Sequence, residues 1–471
     1  MIAGILLLSF CIDTSGNTLK KPLFYVLLVS LLLILLAMRN RLLKLPVIWV
    51  MAGGSFIKLC YILYTETWNR QHDVVAFGAG EGQAAYIEYI LEHKRWPDFD
   101  PREIWGFFQP PLHHSIAAAW MWIQRKLEMS ELRMQENIQV LTLCYMIIVM
   151  LLSYEICREL ELKERGTLIA MLIVSFHPMF IMLSGSINND ALALCLCMAA
   201  VYITLLWYKK PTFGKIILMA LSIGLAMFTK LSSVLVAPAV GALMIYSLIK
   251  NKNDLKKYIL QFVVFGVIVF PIGLYWSIRN LLRFNMPINY IPGVGEQLEK
   301  TGIISRIFDI RIHSVYPSLI SLGDGYDEYN TLVQLMKSSL FGEYNYGQVS
   351  SIINPFSIIL FITAVVLALV SLYATIYMIF SKKSMMTLDR KLFLGLLYVG
   401  FTGGYLSFSL SSSNFSAEDF RYSALAIIIE AIFLGIWADE SEDRTAKIIL
   451  ILCVIFAAAS FGVYFLLGIY Q

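Results

Sequence analysis

The feature that most constrains this chain is the recurrence of apolar blocks about as long as a membrane-crossing helix. A helix needs roughly 20 mostly apolar residues to span the hydrocarbon of a bilayer. Runs near that length lie at about 22–38, 46–64, 138–156, 166–183, 191–208, 214–229, 232–249, 258–277, 353–381, 391–411, 423–437 and 446–469. Only helices or closed barrels satisfy their backbone groups in lipid, and continuous blocks of this length are helical. The expectation is therefore an all-α polytopic membrane protein of 12 or 13 spans. The opening run Met1 to Ile12 is the uncertain thirteenth: it is short, lacks a basic leader and makes a poor signal peptide. Composition agrees, with 58% apolar and only 15% charged residues, against roughly 25% charged in a soluble domain.

Basic residues orient the spans. Alternate joints hold Arg39, Arg41 and Lys44; Arg158, Lys163 and Arg165; Lys209, Lys210 and Lys215; Lys250, Lys252, Lys256 and Lys257; Lys382, Lys383, Arg390 and Lys391; and Arg444 and Lys447, which is 19 of the 37 lysines and arginines. The short joints of opposite parity hold only Lys20, Lys21, Lys230 and Arg421. The first set is read as cytoplasmic, which places two long loops, about 65–137 and 278–352, outside the cell. The chain is then read as one transmembrane domain, 1–471, and the plasma membrane of the cell envelope is its expected location. In the first loop, Tyr86, Ile87, Tyr89, Ile90 and Leu91 alternate with Gln83, Glu88 and Glu92 at helical spacing, predicting an amphipathic surface helix. A second is predicted after Gln109-Pro110-Pro111, because proline favours a helix start. Gly53-Gly54 and Gly403-Gly404 read as helix-packing positions.

A net charge of +4 from 37 basic and 33 acidic residues, spread along the chain, excludes a nucleic-acid binder with its dense basic face. The seven cysteines show no Cys-x-x-Cys pair and no metal spacing with histidine, so neither a disulfide framework nor a zinc site is expected. Walker and dinucleotide glycine motifs are missing.

The ionisable residues on the predicted outer face are the candidates for chemistry, because charge near a bilayer is expensive. Asp73, in Arg70-Gln71-His72-Asp73, follows the span 46–64 and is read as a base for an acceptor hydroxyl; an ordinary solvated aspartate is the alternative. Asp190, in Asn188-Asn189-Asp190, opens the span 191–208, where capping alone would explain it. Lys230 and Arg279 lie where helices emerge outward, as does Arg421 beside Tyr422. Each alone suits a snorkelling side chain, but together they suit a lipid phosphate or pyrophosphate. His113 and His114 follow Pro-Pro-Leu and either line a cavity or sit structurally. Asp73, His72 and Asp190 are hard or borderline ligands, so a divalent cation is an open alternative, although no dedicated cage is present and no other cofactor is indicated. His177-Pro178 is expected to end or kink its helix.

In the order and sidedness of these landmarks the sequence resembles the GT-C superfamily of integral-membrane glycosyltransferases, closest to the protein O-mannosyltransferase and aminoarabinose-transferase branch. The landmarks are Asp73, Ala85-Tyr86-Ile87, Gln109-Pro110-Pro111-Leu112, His177-Pro178 before Asn189-Asp190, Gly224-Leu225 before Thr229-Lys230, Arg279-Asn280 and Arg421-Tyr422. One departure is that Asp73 is followed by Val74, where many members of that branch carry an Asp-Glu pair. The resemblance implies a bundle of about 12 to 13 helices and transfer of a sugar from a polyprenyl-phosphate donor to the hydroxyl of a glycan, lipid or protein, with inversion, on the extracytoplasmic face. On that reading Asp73 and Asp190 are catalytic, and Lys230, Arg279, Arg421, Tyr422, His72 and His113 bind donor phosphate or substrate. The alternatives are a transporter or lipid flippase, disfavoured by the lack of symmetric halves, and a lipid-linked glycan polymerase or ligase. All of these readings require the charged side chains to converge on one outward vestibule.

Overall fold

A computed structural model describes residues 46–68, 74–292, 302–310, 330–342, 349–384, 386–411 and 419–470. These residues hold helices and no strand. In chain order the helices are α1 (Pro46–Tyr64), α2 (Gly82–His93), α3 (Leu112–Lys126), α4 (Glu131–Glu136), α5 (Ile138–Glu159), α6 (Glu164–Phe176), α7 (Pro178–Gly185), α8 (Asp190–Lys209), α9 (Phe213–Thr229), α10 (Ala237–Lys250), α11 (Leu255–Phe284), α12 (Ile303–Phe308), α13 (Thr331–Phe341), α14 (Asn354–Phe380), α15 (Leu388–Ser411), α16 (Ala424–Glu440) and α17 (Asp443–Tyr470).

Nine described helices are long and apolar enough to cross a membrane. The bent pair α6–α7 forms a tenth, with a 47° turn, and α9 is a shorter apolar helix of 17 residues. These account for the eleven predicted spans between 46 and 469; the span at 22–38 and the opening run lie outside the described residues. The chain is an integral, multi-pass membrane protein. Its bend falls at His177-Pro178, as the proline predicted: Pro178 has no N–H to donate and its ring crowds the preceding turn.

The helices form two compact units. One comprises 65–159 and 183–292, and the other 46–64, 160–182 and the described residues from 302 onward. In the second unit α6 is the central contact, packing against α1, α16 and α17. Gly166 of α6 and Gly435 of α16 face each other so closely that a Cβ on either would meet the other's backbone oxygen; small residues let membrane helices approach in this way. The Asp439 carboxylate of α16 accepts from the N–H groups of Lys163 (2.7 Å) and Gly166 (2.9 Å). It thereby satisfies donors that the first turn of α6 leaves without partners. Gly54 of α1 packs on Ser175, as its sequence reading required, whereas Gly403 faces open space and is not a packing position. Lys58, the mid-span charge of α1, is fully buried and donates to the Ser175 carbonyl at 2.6 Å.

In the first unit α9 packs between α8 and α11, α8 also packs on α5, and α3 touches α2, α5 and α9. Helices α2 and α3 are the two predicted surface helices. They share a core of Ala84, Ile87, Leu91, Ala117, Ala118 and Met121. Gln83, placed by the sequence on the polar face of α2, is instead buried and accepts from His114 Nε2. A buried amide needs a partner, and α3 supplies one.

Candidate active site

The site lies in the first unit and rests on α2. The loop 74–81 reverses the chain into this helix through Gly82, whose φ of +79° is unfavourable for any residue with a Cβ. Gly106, at φ +93°, lies directly against the Gly82 backbone. The Gly82 N–H donates to the Trp105 carbonyl at 2.8 Å. Two glycines thus fasten the 94–111 segment to the start of α2.

One turn further on, Tyr86 is fully buried between two flat rings. Phe107 stacks on it at 4.6 Å and His114 at 4.2 Å between centroids. Its hydroxyl donates to the Gln109 carbonyl at 3.4 Å. Burial raises the Tyr86 pKa well above the ordinary tyrosine value, opposed by the positive charge of Arg279, so this phenol stays protonated.

The Gln109-Pro110-Pro111 element joins three helices. Asn189, before α8, donates to Gln109 Oε1 at 3.3 Å and to the Thr229 carbonyl of α9 at 2.8 Å. Trp276 of α11 donates from its indole to the Phe108 carbonyl at 3.2 Å. The two prolines fix their backbone angles and donate nothing, which leaves the neighbouring carbonyls as acceptors.

Asp190 and Lys230 meet here in an ion pair between Lys230 Nζ and Asp190 Oδ1, with side chains 12% and 7% exposed respectively. Asp190 does not cap its helix. Asn188 Oδ1 instead accepts from the Asp190 N–H at 3.1 Å, which leaves the carboxylate to face the end of α9. The N-cap position is Asn189, whose side chain makes no capping bond. His113 is fully buried and its Nε2 donates to the Ile187 carbonyl at 2.8 Å, holding the turn that carries Asp190. Burial pushes the His113 pKa down to about 4, against weaker pulls from the Ile187 carbonyl and Asp190. The ring is neutral at pH 7 and supports this turn through that bond.

Arg279, on α11, lies 4.5 Å from the Trp276 ring centroid and donates from its guanidinium to Asn280 Oδ1 at 2.8 Å and to the Pro97 carbonyl. It is also 3.7 Å from Asp98. Trp96 links this helix to the end of α9, its ring 5.7 Å from Phe228 and 6.3 Å from Trp276. Asp190, Lys230 and His113 thus lie together, while Arg279 is tied to the same helix end through Trp276, Trp96 and Phe228. Arg421 belongs to the second unit. There its Nε lies 3.1 Å from Asp419 Oδ1, and the same carboxylate oxygen accepts from the Arg421 N–H at 2.8 Å. Its guanidinium sits 5.7 Å from the Tyr422 ring. Asp73 and His72 lie outside the described residues.

Some contributors, or their contacts, were not visible in the sequence. Asp98 and Asp419 look like ordinary loop acids, although Asp419-Phe420-Arg421 carries the signal of a side chain bonding the backbone two residues on. Gln109 and Asn189 were landmarks, but their side-chain bond to each other, and the bonds of Asn189 and Trp276 to backbone carbonyls, follow no residue pattern. Among the described residues no group of three or more His, Cys, Asp or Glu is placed to hold a metal ion.

Part of the chain matches a known protein family. Residues 113–276 match the family described as dolichyl-phosphate-mannose-protein mannosyltransferase, a stretch that includes Asp190 and Lys230 and stops before Arg279. Among solved structures the chain is similar to ArnT from Cupriavidus metallidurans bound to undecaprenyl phosphate, at 14% identity and a TM-score of 0.52 over 90% of this chain and 77% of that one. It is also similar to the archaeal oligosaccharyltransferase AglB from Archaeoglobus fulgidus, in complex with an inhibitory peptide and a dolichol-phosphate. That match has 13% identity and a TM-score of 0.52 over 91% of this chain and 56% of that one. The fold is that of the GT-C glycosyltransferases. The resemblance drawn from Asp73, Gln109-Pro110-Pro111 and Thr229-Lys230 is thus borne out for the fold. The chain spans little more than half the length of AglB. No curated protein matches it at a significant level.

Proposed function

We propose that this GT-C-fold protein is a glycosyltransferase that moves a sugar from a polyprenyl-phosphate donor to an acceptor hydroxyl, with inversion, on the extracytoplasmic face of the plasma membrane. The acceptor is a glycan, lipid or protein. The observation that carries the reading is the Asp190–Lys230 ion pair, formed inside the family-matched segment and tied by Asn189 to Gln109.

In the reaction, the acceptor oxygen attacks the anomeric carbon while its proton passes to the Asp73 carboxylate. The bond from that carbon to the donor's phosphate oxygen breaks, and its electron pair leaves with polyprenyl phosphate. A phosphate leaving group gains charge in the transition state, so fixed cations accelerate its departure more than a proton donor would. Lys230 and Arg279 supply that charge. The lysine ammonium has three donors and can serve Asp190 and a phosphate oxygen together, so Asp190 acts by orienting it. The guanidinium of Arg279, held over Trp276, offers a planar fork suited to phosphate. Arg421, anchored by Asp419, is a further candidate phosphate ligand in the second unit.

The test is to incubate membranes carrying the full chain with polyprenyl phosphate bearing a labelled hexose. Release of label from lipid onto an acceptor, abolished by Asp73→Asn at unchanged expression, supports the proposal. Label that crosses the bilayer while still attached to lipid would mark a flippase and refute it.

A further inference from the structure

An open groove of about 650 Å³ lies between α2 and α3, and Asp190, Lys230 and Arg279 are not among the residues that line it. Its walls are apolar, with Ile90 and Leu91 from α2 and Ala118 and Ala119 from α3, and it is also lined by Trp96 and Trp122. The two indoles are 38% and 47% exposed. Trp96 donates its one polar hydrogen to Ser115 Oγ at 3.0 Å, which leaves its ring as apolar lining. Lys94 and Arg95 also line the groove.

The charges around it do not balance. The nearby acids all have partners: Glu92 pairs with Arg125 at 2.7 Å, Asp98 with Arg283, Asp100 with Arg102, and Glu88 accepts from the Gly78 N–H at 3.1 Å. Lys94 ends α2, where a cation suits the helix dipole. Arg95 lies beyond the helix and gains nothing from it. Lys94, attracted by a Glu92 carboxylate already bonded to Arg125, and Arg95, in no ion pair among the described residues, thus sit as two exposed cations at an apolar slot, in a segment flanked by the membrane spans Pro46–Tyr64 and Glu131–Glu159. Indoles and snorkelling cations belong at the headgroup level of a bilayer, and juxtamembrane cations attract anionic lipid.

We infer that the groove between α2 and α3 binds an anionic bilayer phospholipid, its acyl chain along Ala118 and Ala119 and its headgroup phosphate against Lys94 and Arg95. The occupant must be both apolar and negatively charged, which a neutral lipid or a soluble anion is not. Neither Lys230 nor Arg279 lines this groove, although Trp96 adjoins both places, and its occupancy is read independently of turnover.

Native mass spectrometry of the full chain in mild detergent, titrated in turn with phosphatidylglycerol, phosphatidylcholine, polyprenyl phosphate and inorganic phosphate, provides the test. Phosphatidylglycerol should be retained at least about fivefold better than phosphatidylcholine, on the scale that surface lysines and arginines contribute to anionic-lipid affinity. Lys94→Gln with Arg95→Gln, both at exposed positions, should remove that preference, and Ala119→Trp should reduce retention of both phospholipids by filling the slot. Equal retention of the two phospholipids, or a preference unchanged in the double variant, overturns the inference. Displacement of phosphatidylglycerol by equimolar polyprenyl phosphate or by inorganic phosphate also overturns it. Because retention is read without transfer, an inactive protein that still selects phosphatidylglycerol would sink the proposed reaction and leave this site standing.

Discussion

Removing either partner of the Asp190–Lys230 pair is the most informative perturbation. The two side chains are 7% and 12% exposed, so deleting one leaves the other's charge poorly solvated. Deleting one partner of a fully buried pair costs about 3–5 kcal/mol, and an exposed pair contributes about 1 kcal/mol or less. For this nearly buried pair, about 2–3 kcal/mol of stability should be lost in either single variant. Lys230→Gln also removes one charge-assisted contact to the departing phosphate, worth about 1.5–3 kcal/mol, or a 10- to 150-fold fall in kcat/KM. Asp190→Asn should fall by a similar or smaller factor, because it acts by holding the ammonium. The double variant should transfer sugar no more slowly than Lys230→Gln alone, and should be more stable than the sum of the singles implies. Exchanging the pair, Asp190→Lys with Lys230→Asp, should recover stability without recovering transfer. The assay is label transfer from polyprenyl-phosphate hexose, run beside thermal unfolding in detergent. If the two single effects on kcat/KM multiply in the double variant, or if Asp190→Asn transfers at the parent rate, the two residues do not work as a unit.

Tyr86 separates packing from hydrogen bonding. Tyr86→Phe keeps the stack between Phe107 and His114 and loses one long bond, so its unfolding temperature should barely move, whereas Tyr86→Ala should cost about 3–5 kcal/mol, read by thermal unfolding. Gly82→Ala should lower stability and transfer together, because the added Cβ meets the Val74 carbonyl at a positive φ; refolding yield and unfolding temperature measure it. His113 contributes a pH dependence. Its folded pKa of about 4 lies below the ordinary histidine value, so below pH 6.5 the unfolded chain binds a proton that the folded chain refuses, and stability falls as pH drops from about 6.5 to 4. In His113→Asn, which retains a donor for the Ile187 carbonyl, the loss of unfolding temperature across that window should be smaller than in the parent.

The helices were legible because the bilayer imposes its thickness on the sequence. α1 coincides with the predicted span at 46–64, and the Pro178 bend falls where a missing donor must break the ladder. The short surface helices were legible too, one from alternating aromatic and acidic residues and one from its leading prolines. The candidate site was legible only as chemistry. Asp190 and Lys230 stand out because isolated charges beside apolar spans are costly, and their pairing was not visible because forty residues separate them. Arg279 was read as facing a phosphate, but its Asp98 and Pro97 contacts depend on how the 94–111 segment folds back. That path is set by the Gly82–Gly106 approach, which leaves no periodic trace in the sequence. Gln83 misled the pattern, since a polar residue at a surface position of an isolated helix becomes interior once α3 covers it.

The central claim is that Lys230 and Arg279 receive the phosphate of a lipid-linked sugar. A cryo-electron microscopy structure of the full chain with polyprenyl phosphate bound tests it most directly. The account predicts phosphate oxygens within about 3 Å of Lys230 Nζ and the Arg279 guanidinium, with Asp190 still touching the ammonium. A phosphate seated elsewhere, with both cations left on their present protein partners, would contradict it.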